Sequence, residues 1–527
     1  MNTHIRKTIE STDTYYVLGI INMMSHDPSA CLCRIKVSDS AIEDFDYVHF
    51  EEGMLQRKKG ELLFPLLSIA ACLDYFSIDL DTLNYVYTDT YTAVSWSTSG
   101  QILRRNIGDW LKRYLRLDRR KLVIGDFHHL AHAYTAVWPS GFKDASVLVI
   151  DGAGSNYETS SIYTWDQNTG FKVIEKFYGT GIGLLYTLVT GRLGFKAGQE
   201  GKTMGLAAFH MGGECYRSDL KGIDLSYFTD YSSIVRRFPS HSFKIELPLI
   251  ESSGELYSDK AVAMAYSVQS ELERTLLRST KLIDENLPSR NLCFAGGVAL
   301  NCSANEKILN ETTFDDIFIQ PNAGDSGVSF GLALIGIHRI VSELNIDQAS
   351  FWNLGRTHFK KFQMDHSPSS DEVKHILQSL EVTYSAYDRE IIANNLSEEK
   401  VVAFFQSGWE FGPRALGHRS FLASAKSGKM KEVLNRKIKH RELYRPFAPI
   451  CISEDFQRYF ISKKQRHEFM LHAVQANDYC KANAPAIVHV DGTARVQTAS
   501  HEDGEVYLLL KAYRQQTGHS ILRSSTV

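Results

Sequence analysis

Short apolar runs alternate with longer amphipathic segments in the first part of the chain, and this alternation constrains the fold more than any other feature. The runs 15–21, 146–151, 291–297 and 316–321 have the length and apolar character of buried strands. The segment 260–287 repeats its apolar residues with helical spacing. Strands that alternate with helices predict an α/β architecture.

The length of the chain predicts more than one domain, because 527 residues exceed what a single hydrophobic core usually supports. A polar, proline-containing stretch occupies much of the region 351–395. The apolar run VVAFF follows it, and basic residues become dense. We therefore predict a first domain over 1–350, a linker region over 351–395 and a second module over 396–527.

Composition excludes several classes of protein. Hydrophobic residues make up 43% of the chain, charged residues 23%, and the net charge is −3, which disfavours disorder and a strongly basic nucleic-acid-binding surface. The N-terminus lacks the apolar region of a signal peptide, and no apolar run reaches the ~18 residues of a membrane span. The eight cysteines include no CxxC pair. We expect a cytoplasmic protein without membrane segments.

The stretch HHLAHA at 128–133 concentrates histidines that could bind a metal ion. In a helix, His128 and His132 project from one face, which is the geometry that two imidazole ligands need. His129 and His132 form an alternative pair with a spacing of three residues. A histidine-rich helix without any ligand role is equally compatible with this spacing.

Two apolar runs end in an aspartate beside glycines. Asp151 follows SVLVI and precedes a glycine-containing turn, and Asp325 stands between glycines ahead of a helical segment. Glycines allow backbone amides to approach an anion, and a carboxylate can hold a cation. An ordinary hairpin turn with an aspartate is the alternative interpretation of the first motif.

Further glycine-rich segments are candidates for nucleotide binding. Gly296 and Gly297 follow a strand and precede a helix, as in a turn that places backbone amides near phosphate or ribose. Lys202 lies in a glycine-rich, turn-prone segment that could place its ammonium near a phosphate. A solvated lysine is the alternative.

Positive charge is concentrated in the second module, within a chain that is slightly negative overall. Several of its basic residues lie among glycine, proline and aromatic residues in 410–420 and 442–449, which favours a shaped pocket over a solvated surface. Arginine binds phosphate oxygens through two parallel hydrogen bonds, and lysine adds a point charge. The basic residues are Arg414, Arg419, Lys437, Lys439, Arg441, Arg445 and Arg495.

The order of the motifs resembles a known family. HHLAHA, IDGAGS, EGKTMGLA, FAGGVALNCSAN and PNAGDSGVSFG resemble the TsaD-like half of the O-carbamoyltransferases of the nodulation protein U, cephamycin and tobramycin type. WEFGPRALGHRSFLA, LNRKIKHRELYRPFAP and HVDGTARVQT resemble the YrdC-like half. The resemblance implies an actin/sugar-kinase-type (ASKHA) first domain and an α+β YrdC-like second domain.

The resemblance also implies where a metal ion and two co-substrates would bind. A mixed set of nitrogen and oxygen ligands would hold Fe(II) or another divalent metal, with His129 as a neighbour only. The implied metal ligands are His128, His132, Asp151 and Asp325. The co-substrates would be ATP, with Mg²⁺ as its companion, and carbamoyl phosphate. Nucleotide would lie near Lys202, Gly296, Gly297 and Asn301, and carbamoyl phosphate near Arg414, Lys439, Arg445 and Arg495.

By the same resemblance, the second module would form carbamoyl adenylate from carbamoyl phosphate and ATP. The first domain would then transfer the carbamoyl group to a hydroxyl of a small-molecule acceptor. His26, in the motif between the first two strands, is the candidate base for that hydroxyl proton.

The chain departs from the family pattern at two places. Ser155 replaces an acidic residue, and Arg523 stands where an asparagine is expected. Members of the family continue beyond the segment that corresponds to TGHSILRSSTV, so we expect an incomplete second module. An incomplete module would have impaired carbamoyl-phosphate activation. Its sheet would have an exposed edge, at which we expect a homodimer to form. A metal- and nucleotide-binding paralogue and a threonylcarbamoyl-type tRNA-modification protein are the alternative functions, and the near-neutral charge disfavours the second.

Overall fold

The chain folds into mixed α/β sheets, seen here in a computed structural model. The described residues are 14–21, 27–38, 41–56, 64–90, 94–96, 102–104, 115–179, 181–196, 198–210, 212, 258–359, 362–363, 369–406, 408–428, 430, 432, 434–442 and 444–526.

The first sheet has antiparallel strands on one side and parallel strands on the other. Its strand order is β3-β2-β1-β4-β7, where β1, β2 and β3 are antiparallel neighbours and β4 and β7 run parallel to β1. Strands β5 and β6 pair separately as a short antiparallel ladder. The strands are β1 (Thr14–Ile21), β2 (Ser29–Ser38), β3 (Ala41–Glu51), β4 (Tyr85–Asp89), β5 (Val94–Trp96), β6 (Ile102–Arg104) and β7 (Leu122–Gly125).

The second sheet repeats the topology of the first. Its order is β10-β9-β8-β11-β12, again with antiparallel neighbours followed by two parallel strands. The strands are β8 (Asp144–Ile150), β9 (Glu158–Asp166), β10 (Gly170–Tyr178), β11 (Asn291–Ala295) and β12 (Asp316–Ile319). This duplicated topology is that of the ASKHA fold, so the fold predicted for the first domain is confirmed.

Two helices fill the space between the sheets. α8 packs on β1 and β2, α3 packs on β8 and β11, and the two helices contact each other. Aromatic residues such as Trp138 of α3 and Phe330 of α8 are buried there. The helices of this domain are α1 (Glu52–Leu55), α2 (Leu66–Tyr75), α3 (His128–Ser140), α4 (Ile182–Arg192), α5 (Glu200–Ala207), α6 (Asp259–Asn286), α7 (Cys302–Glu311), α8 (Val328–Glu343) and α9 (Gln348–His358).

Glycine allows these layers to approach closely. A Cβ on Gly331 of α8 would lie 2.1 Å from the carbonyl oxygen of Ala131 in α3. A Cβ on Gly19 of β1 would lie 2.0 Å from the carbonyl oxygen of Ser329. The absence of a side chain at both positions therefore sets the distance between α3, α8 and the first sheet.

The second module combines a mixed sheet with helices, which confirms its predicted α+β class. Helices α11 (Arg389–Ser397) and α14 (Glu505–Thr517) pack on one face of the sheet, and a small sheet, β18-β19-β20, lies elsewhere in the module. The larger sheet has the order β14-β16-β22-β17-β21, and β13 pairs with β15. Its strands are β13 (Phe362–Gln363), β14 (Val402–Phe405), β15 (Trp409–Glu410), β16 (Arg419–Ser424), β17 (Ala448–Ile452), β18 (Phe460–Ile461), β19 (Ala473–Ala476), β20 (Thr493–Arg495), β21 (Gln497–Ala499) and β22 (Ile521–Thr526).

The segment TGHSILRSSTV contributes β22, the central strand of this sheet. β22 pairs with β16 on one side and β17 on the other. The expected incompleteness of the module stays a prediction. The remaining helices are α10 (Ser370–Ser379), α11 (Arg389–Ser397), α12 (Phe456–Tyr459), α13 (Asp478–Asn483) and α14 (Glu505–Thr517).

The predicted linker region 351–395 contains helical structure. Phe351 and Trp352 of α9 are buried in the core of the first domain, and α10 carries no buried residue. Among the described helices, none combines the length and the apolarity that a bilayer span requires.

Close packing of α3 on α8 predicts a destabilising effect of Gly331→Ala. The added methyl group would overlap the Ala131 carbonyl oxygen, and we expect a loss of about 1–3 kcal/mol in the free energy of unfolding. Urea-denaturation midpoints measure the effect. Gly191→Ala in α4 is the control, because its Cβ would meet open space and should stabilise by up to about 1 kcal/mol. Equal effects of both changes would contradict the packing argument.

Candidate functional site

The structure brings together the residues implied as metal ligands. His128 begins α3, His132 lies one turn later, Asp151 follows β8, and Asp325 lies between β12 and α8. One donor atom from each of these side chains lies within 4.8 Å of all the others. Both imidazoles are fully buried, and the two carboxylates are slightly exposed. We call this set the four-ligand centre.

Hydrogen bonds connect the imidazoles of the four-ligand centre to its carboxylates. The Nε2 atoms of His128 and His132 each lie 3.2 Å from Asp151 Oδ2, and His128 Nε2 lies 3.5 Å from Asp325 Oδ1. Burial alone would lower the pKa of His128, but the adjacent carboxylates outweigh it and hold that pKa well above its usual value. Burial alone would raise the pKa of Asp151, but the imidazoles hold it well below its usual value.

Asp89 supports His128 from behind and was not predicted from the sequence. Its Oδ2 lies 3.2 Å from His128 Nδ1, and its Oδ1 accepts hydrogen bonds from the amide of Phe127 and the hydroxyl of Ser155. A carboxylate on the second ring nitrogen fixes the orientation of a histidine ligand. The run YVYTD ends β4 in Asp89 as SVLVID ends in Asp151, so the same pattern could have found it.

The glycine pair predicted to bind nucleotide lies against Asp151. The amides of Gly152 and Gly297 lie 2.8 and 3.2 Å from Asp151 Oδ1. Gly296 has a φ of 90°, and a Cβ there would lie 2.2 Å from the carbonyl oxygen of Ile150. Glycine is therefore required where this turn crosses the end of β8. The role of Gly296 and Gly297 toward nucleotide stays a prediction.

The turn that carries Asp325 is fixed by the first sheet. Ser29 of β2 donates a 2.7 Å hydrogen bond to the carbonyl oxygen of Ser326, and His49 Nε2 of β3 donates to the same oxygen at 2.8 Å. Burial lowers the pKa of His49 to about 4, so this imidazole is neutral at physiological pH. The turn that carries Asp325 is thus held in place by strands that precede it by nearly three hundred residues.

His129 lies beside the four-ligand centre and points elsewhere. Its Nδ1 lies 2.7 Å from the hydroxyl of Ser161, and burial lowers its pKa well below the usual value. The structure therefore separates His129 from the pair His128 and His132, which share a face of α3. His26, the candidate base, lies outside the described residues.

The basic residues implied to bind carbamoyl phosphate form a second group together with Arg441, and we call this group the cationic cluster. Burial and the neighbouring Arg495 lower the pKa of Arg414 to about 9, and burial followed by Arg445 lowers the pKa of Arg441 to about 9. Burial also lowers the pKa of Lys439 and Arg495. The cationic cluster consists of Arg414, Lys439, Arg441, Arg445 and Arg495.

The cationic cluster includes two N–H groups that no protein group accepts from in the described part of the chain. The Nε atoms of Arg414 and Arg495 are buried and have no hydrogen-bond partner among the described residues. Buried, mutually repelling guanidinium groups are unfavourable without a compensating anion. The arrangement is therefore suited to an anion with several acceptor oxygens, such as a phosphate.

The two sites meet at one turn. Arg414 Nη2 donates a 3.3 Å hydrogen bond to the carbonyl oxygen of Leu300. Leu300 ends the 3₁₀ turn Gly297–Leu300, whose first amide contacts Asp151. One turn of the first domain thus contacts both the cationic cluster and the four-ligand centre.

Lys202 and Asn301 also lie near this junction. Lys202 lies within helix α5, and its Nζ is 2.7 Å from Glu442 Oε1 of the second module. Glu442 Oε2 is in turn 3.9 Å from Arg445 Nη1. Asn301 caps α7 and exchanges hydrogen bonds with Gln269. The contacts of both residues with nucleotide stay predictions. In the structure Lys202 links the two domains through Glu442, and Asn301 links α7 to α6 through Gln269.

Comparison with known proteins covers both domains. A family model described as the carbamoyltransferase N-terminus matches residues 80–334, and one described as the carbamoyltransferase C-terminus matches residues 393–525. An uncharacterized protein of Synechocystis sp. is 29% identical over 96% of this chain and 90% of its own length. Nodulation protein NolNO of Sinorhizobium fredii is 29% identical over 97% of this chain and 75% of its own length.

A relative named for its activity matches a smaller part of the chain. The 3'-hydroxymethylcephem-O-carbamoyltransferase of Streptomyces clavuligerus is 27% identical over 62% of this chain and 58% of its own length. Since both family models match in the expected order, one on each domain, the chain belongs to the carbamoyltransferase family.

Proposed function

We propose that this carbamoyltransferase makes carbamoyl adenylate from carbamoyl phosphate and ATP, and then carbamoylates a hydroxyl of a small molecule. The observation that carries the proposal is the turn Gly297–Leu300. This turn contacts the cationic cluster on one side and the four-ligand centre on the other. An intermediate made at the cationic cluster would pass this turn on its way to the four-ligand centre.

The cationic cluster supports binding of carbamoyl phosphate. Carbamoyl phosphate offers phosphate oxygens to the Nε atoms of Arg414 and Arg495, which have no hydrogen-bond partner among the described residues. Water would attack the phosphorus and break its bond to the carbamoyl oxygen, releasing inorganic phosphate and carbamate. A carbamate oxygen would then attack the α-phosphorus of ATP and displace pyrophosphate. Fixed positive charge stabilises both steps because negative charge accumulates on phosphate oxygens.

The donor set of the four-ligand centre fits a divalent first-row metal ion such as Fe(II). Its donor atoms span no more than 4.8 Å, close to twice the ~2.1 Å bond of such an ion to nitrogen or oxygen ligands. A bound ion would supply Lewis-acid polarisation of the adenylate. His128, His132, Asp151 and Asp325 would hold it, and Asp89 would keep the His128 ring in place.

The final step needs an acceptor hydroxyl and a base. The acceptor oxygen would attack the carbamoyl carbon, AMP would leave, and His26 would take the hydroxyl proton. The cephem-named relative supports a small-molecule alcohol as the acceptor class. The same proposal includes a cytoplasmic location, a homodimer and Mg²⁺ bound with ATP. It includes no nucleic-acid partner and no membrane partner.

Substitution of His132 should remove the metal ion from the four-ligand centre. We expect wild-type protein to retain about one divalent ion per chain, and His132→Gln to lose it, since one of four ligands is removed. Asp89→Asn should weaken binding by about 10–100-fold through the orientation of His128. Elemental analysis after dialysis and Co²⁺ titration followed by absorbance give these values. His129→Gln is the matched control because it is equally buried on the same helix, and equal metal loss there would contradict the assignment.

Removing a positive charge from the cationic cluster should impair only the formation of carbamoyl adenylate. Arg445→Gln should lower pyrophosphate release that depends on both carbamoyl phosphate and ATP by about 10–100-fold, through loss of charged hydrogen bonds to phosphate. Lys437→Gln, at an exposed position of the same basic segment, should leave the rate unchanged. Release of labelled pyrophosphate from ATP labelled at the γ-phosphate, separated from inorganic phosphate, measures the rate of each variant. Wild-type protein that binds metal yet releases no pyrophosphate would instead favour the non-catalytic paralogue.

A change at His26 should impair carbamoyl transfer and spare the activation step. His26→Gln should abolish transfer to an acceptor alcohol while pyrophosphate release persists, because the base acts only on the hydroxyl. Mass detection of carbamoylated products from a panel of sugars and related alcohols measures transfer. An unimpaired transfer rate would remove His26 from the mechanism.

A further inference from the structure

A loop of the second module lies against the helix that follows the turn Gly297–Leu300. The loop, residues 462–472, joins β18 to β19, and we call it the clasp. Helix α7 begins at Cys302, directly after that turn and its neighbour Asn301. Contacts between the clasp and α7 therefore bear on the turn that links the two sites.

Side chains of the clasp contact the second half of α7. Ser462 donates a 2.9 Å hydrogen bond to Glu306 Oε1, and His472 Nδ1 lies 3.2 Å from Glu306 Oε2. Burial alone would raise the pKa of Glu306, but His472 and Ser462 hold it below its usual value. Lys463 Nζ donates a 2.8 Å hydrogen bond to the carbonyl oxygen of Asn310, in the last turn of the helix. The clasp thus binds α7 through both charge and hydrogen bonds.

Asn305 links the turn directly to the clasp. This residue is 1% exposed, and its amide group carries two N–H donors. Nδ2 donates at 2.8 Å to the carbonyl oxygen of Ala299, within the turn Gly297–Leu300, and at 2.9 Å to the carbonyl oxygen of Leu471, within the clasp. One amide group therefore fixes the turn and the clasp relative to each other.

Consecutive residues of the clasp are buried in the cores of different domains. Met470 packs with Leu416 and Ala448 of the second module, whereas Leu471 belongs to the hydrophobic cluster that contains Ile308 of α7. Met470 has a φ of 55°, in the left-handed region that residues other than glycine rarely adopt. Packing on both sides holds this conformation, which is unfavourable by itself. The clasp is thus anchored on both sides of the domain boundary.

The clasp is also adjacent to the cationic cluster. It leads directly into β19, whose first residue, Ala473, pairs with Arg495 of β20. Arg414, another member of the cluster, contacts the turn Gly297–Leu300 through its hydrogen bond to the last residue of that turn. The strand pairing and the Asn305 amide therefore form a continuous series of contacts from the cluster through the clasp to the turn.

We infer that Asn305 is a positioning residue that sets the distance between the cationic cluster and the four-ligand centre, with the clasp as its anchor. The inference rests on the proposed function, because it makes these contacts necessary for the passage of carbamoyl adenylate between the sites. A displaced turn would let the adenylate meet water. Water would attack the carbamoyl carbon, the bond from that carbon to the AMP oxygen would break, and carbamate and AMP would be released.

The test compares pyrophosphate and AMP release by the full-length chain supplied with ATP and carbamoyl phosphate but no acceptor alcohol. Asn305→Leu keeps the approximate size of the side chain and removes both N–H donors. It should raise AMP release about tenfold over wild type and leave the initial burst of pyrophosphate unchanged, since the cationic cluster is intact. A general loss of stability would lower both quantities. Glu306→Gln keeps the bond from Ser462 but removes the charge that faces His472, and should raise AMP release by a smaller factor.

A matched variant on the same helix makes the outcome specific. Lys307→Gln changes an exposed residue of α7 that pairs with Glu273 of the first domain, and should release pyrophosphate and AMP as wild type does. Wild-type AMP release by folded Asn305→Leu would overturn the inference and leave the proposed function intact. Loss of the pyrophosphate burst in this variant would also overturn it, because Asn305 would then act in activation. A wild-type chain that releases no pyrophosphate would overturn the proposed function itself.

Hydrogen exchange measured by mass spectrometry covers the case in which Asn305→Leu does not fold, and it needs no catalysis. In folded Glu306→Gln, the backbone amides of residues 297–305 should exchange faster than in wild type, while those of α3 keep their wild-type rates. Wild-type exchange over 297–305 in this variant would reject the clasp as the anchor of the turn.

Discussion

The contact between α3 and α8 is the constraint on which the first domain and its site depend. Gly331 lets the two helices approach to backbone contact, and each helix packs on a different sheet. The histidine pair belongs to α3, while Asp325 lies just before α8. A change in helix spacing would therefore move imidazoles and carboxylate relative to each other, even though none of these groups forms the helix contact itself.

Much of this arrangement could be predicted from sequence, because periodicity and turn chemistry are local. The strands that end just before Asp151 and Gly296 are where the apolar runs predicted them, whereas the ASKHA topology was expected only from the resemblance of the motifs to a known family. The choice between His128 and His129 could not be made from spacing alone. It depends on which face of α3 meets Asp151, and that is a property of tertiary packing.

Other features escaped prediction because they depend on long-range contacts. Asp89 is more than thirty residues from His128, and its role is visible only once β4 lies beside α3. Lys202 occurs in a glycine-rich motif that resembles a turn, yet it lies in helix α5 and pairs with Glu442 of the other domain.

The central position of β22 has a consequence for how the protein reaches its native state. This strand follows every other described strand in the chain, and both of its neighbours, β16 and β17, are made about seventy or more residues earlier. Until β22 is made, the backbone groups of β16 and β17 that pair with it in the native sheet lack their strand partner. The ASKHA domain can close while later residues are still being translated, whereas the larger sheet of the second module can form only after β22 has left the ribosome.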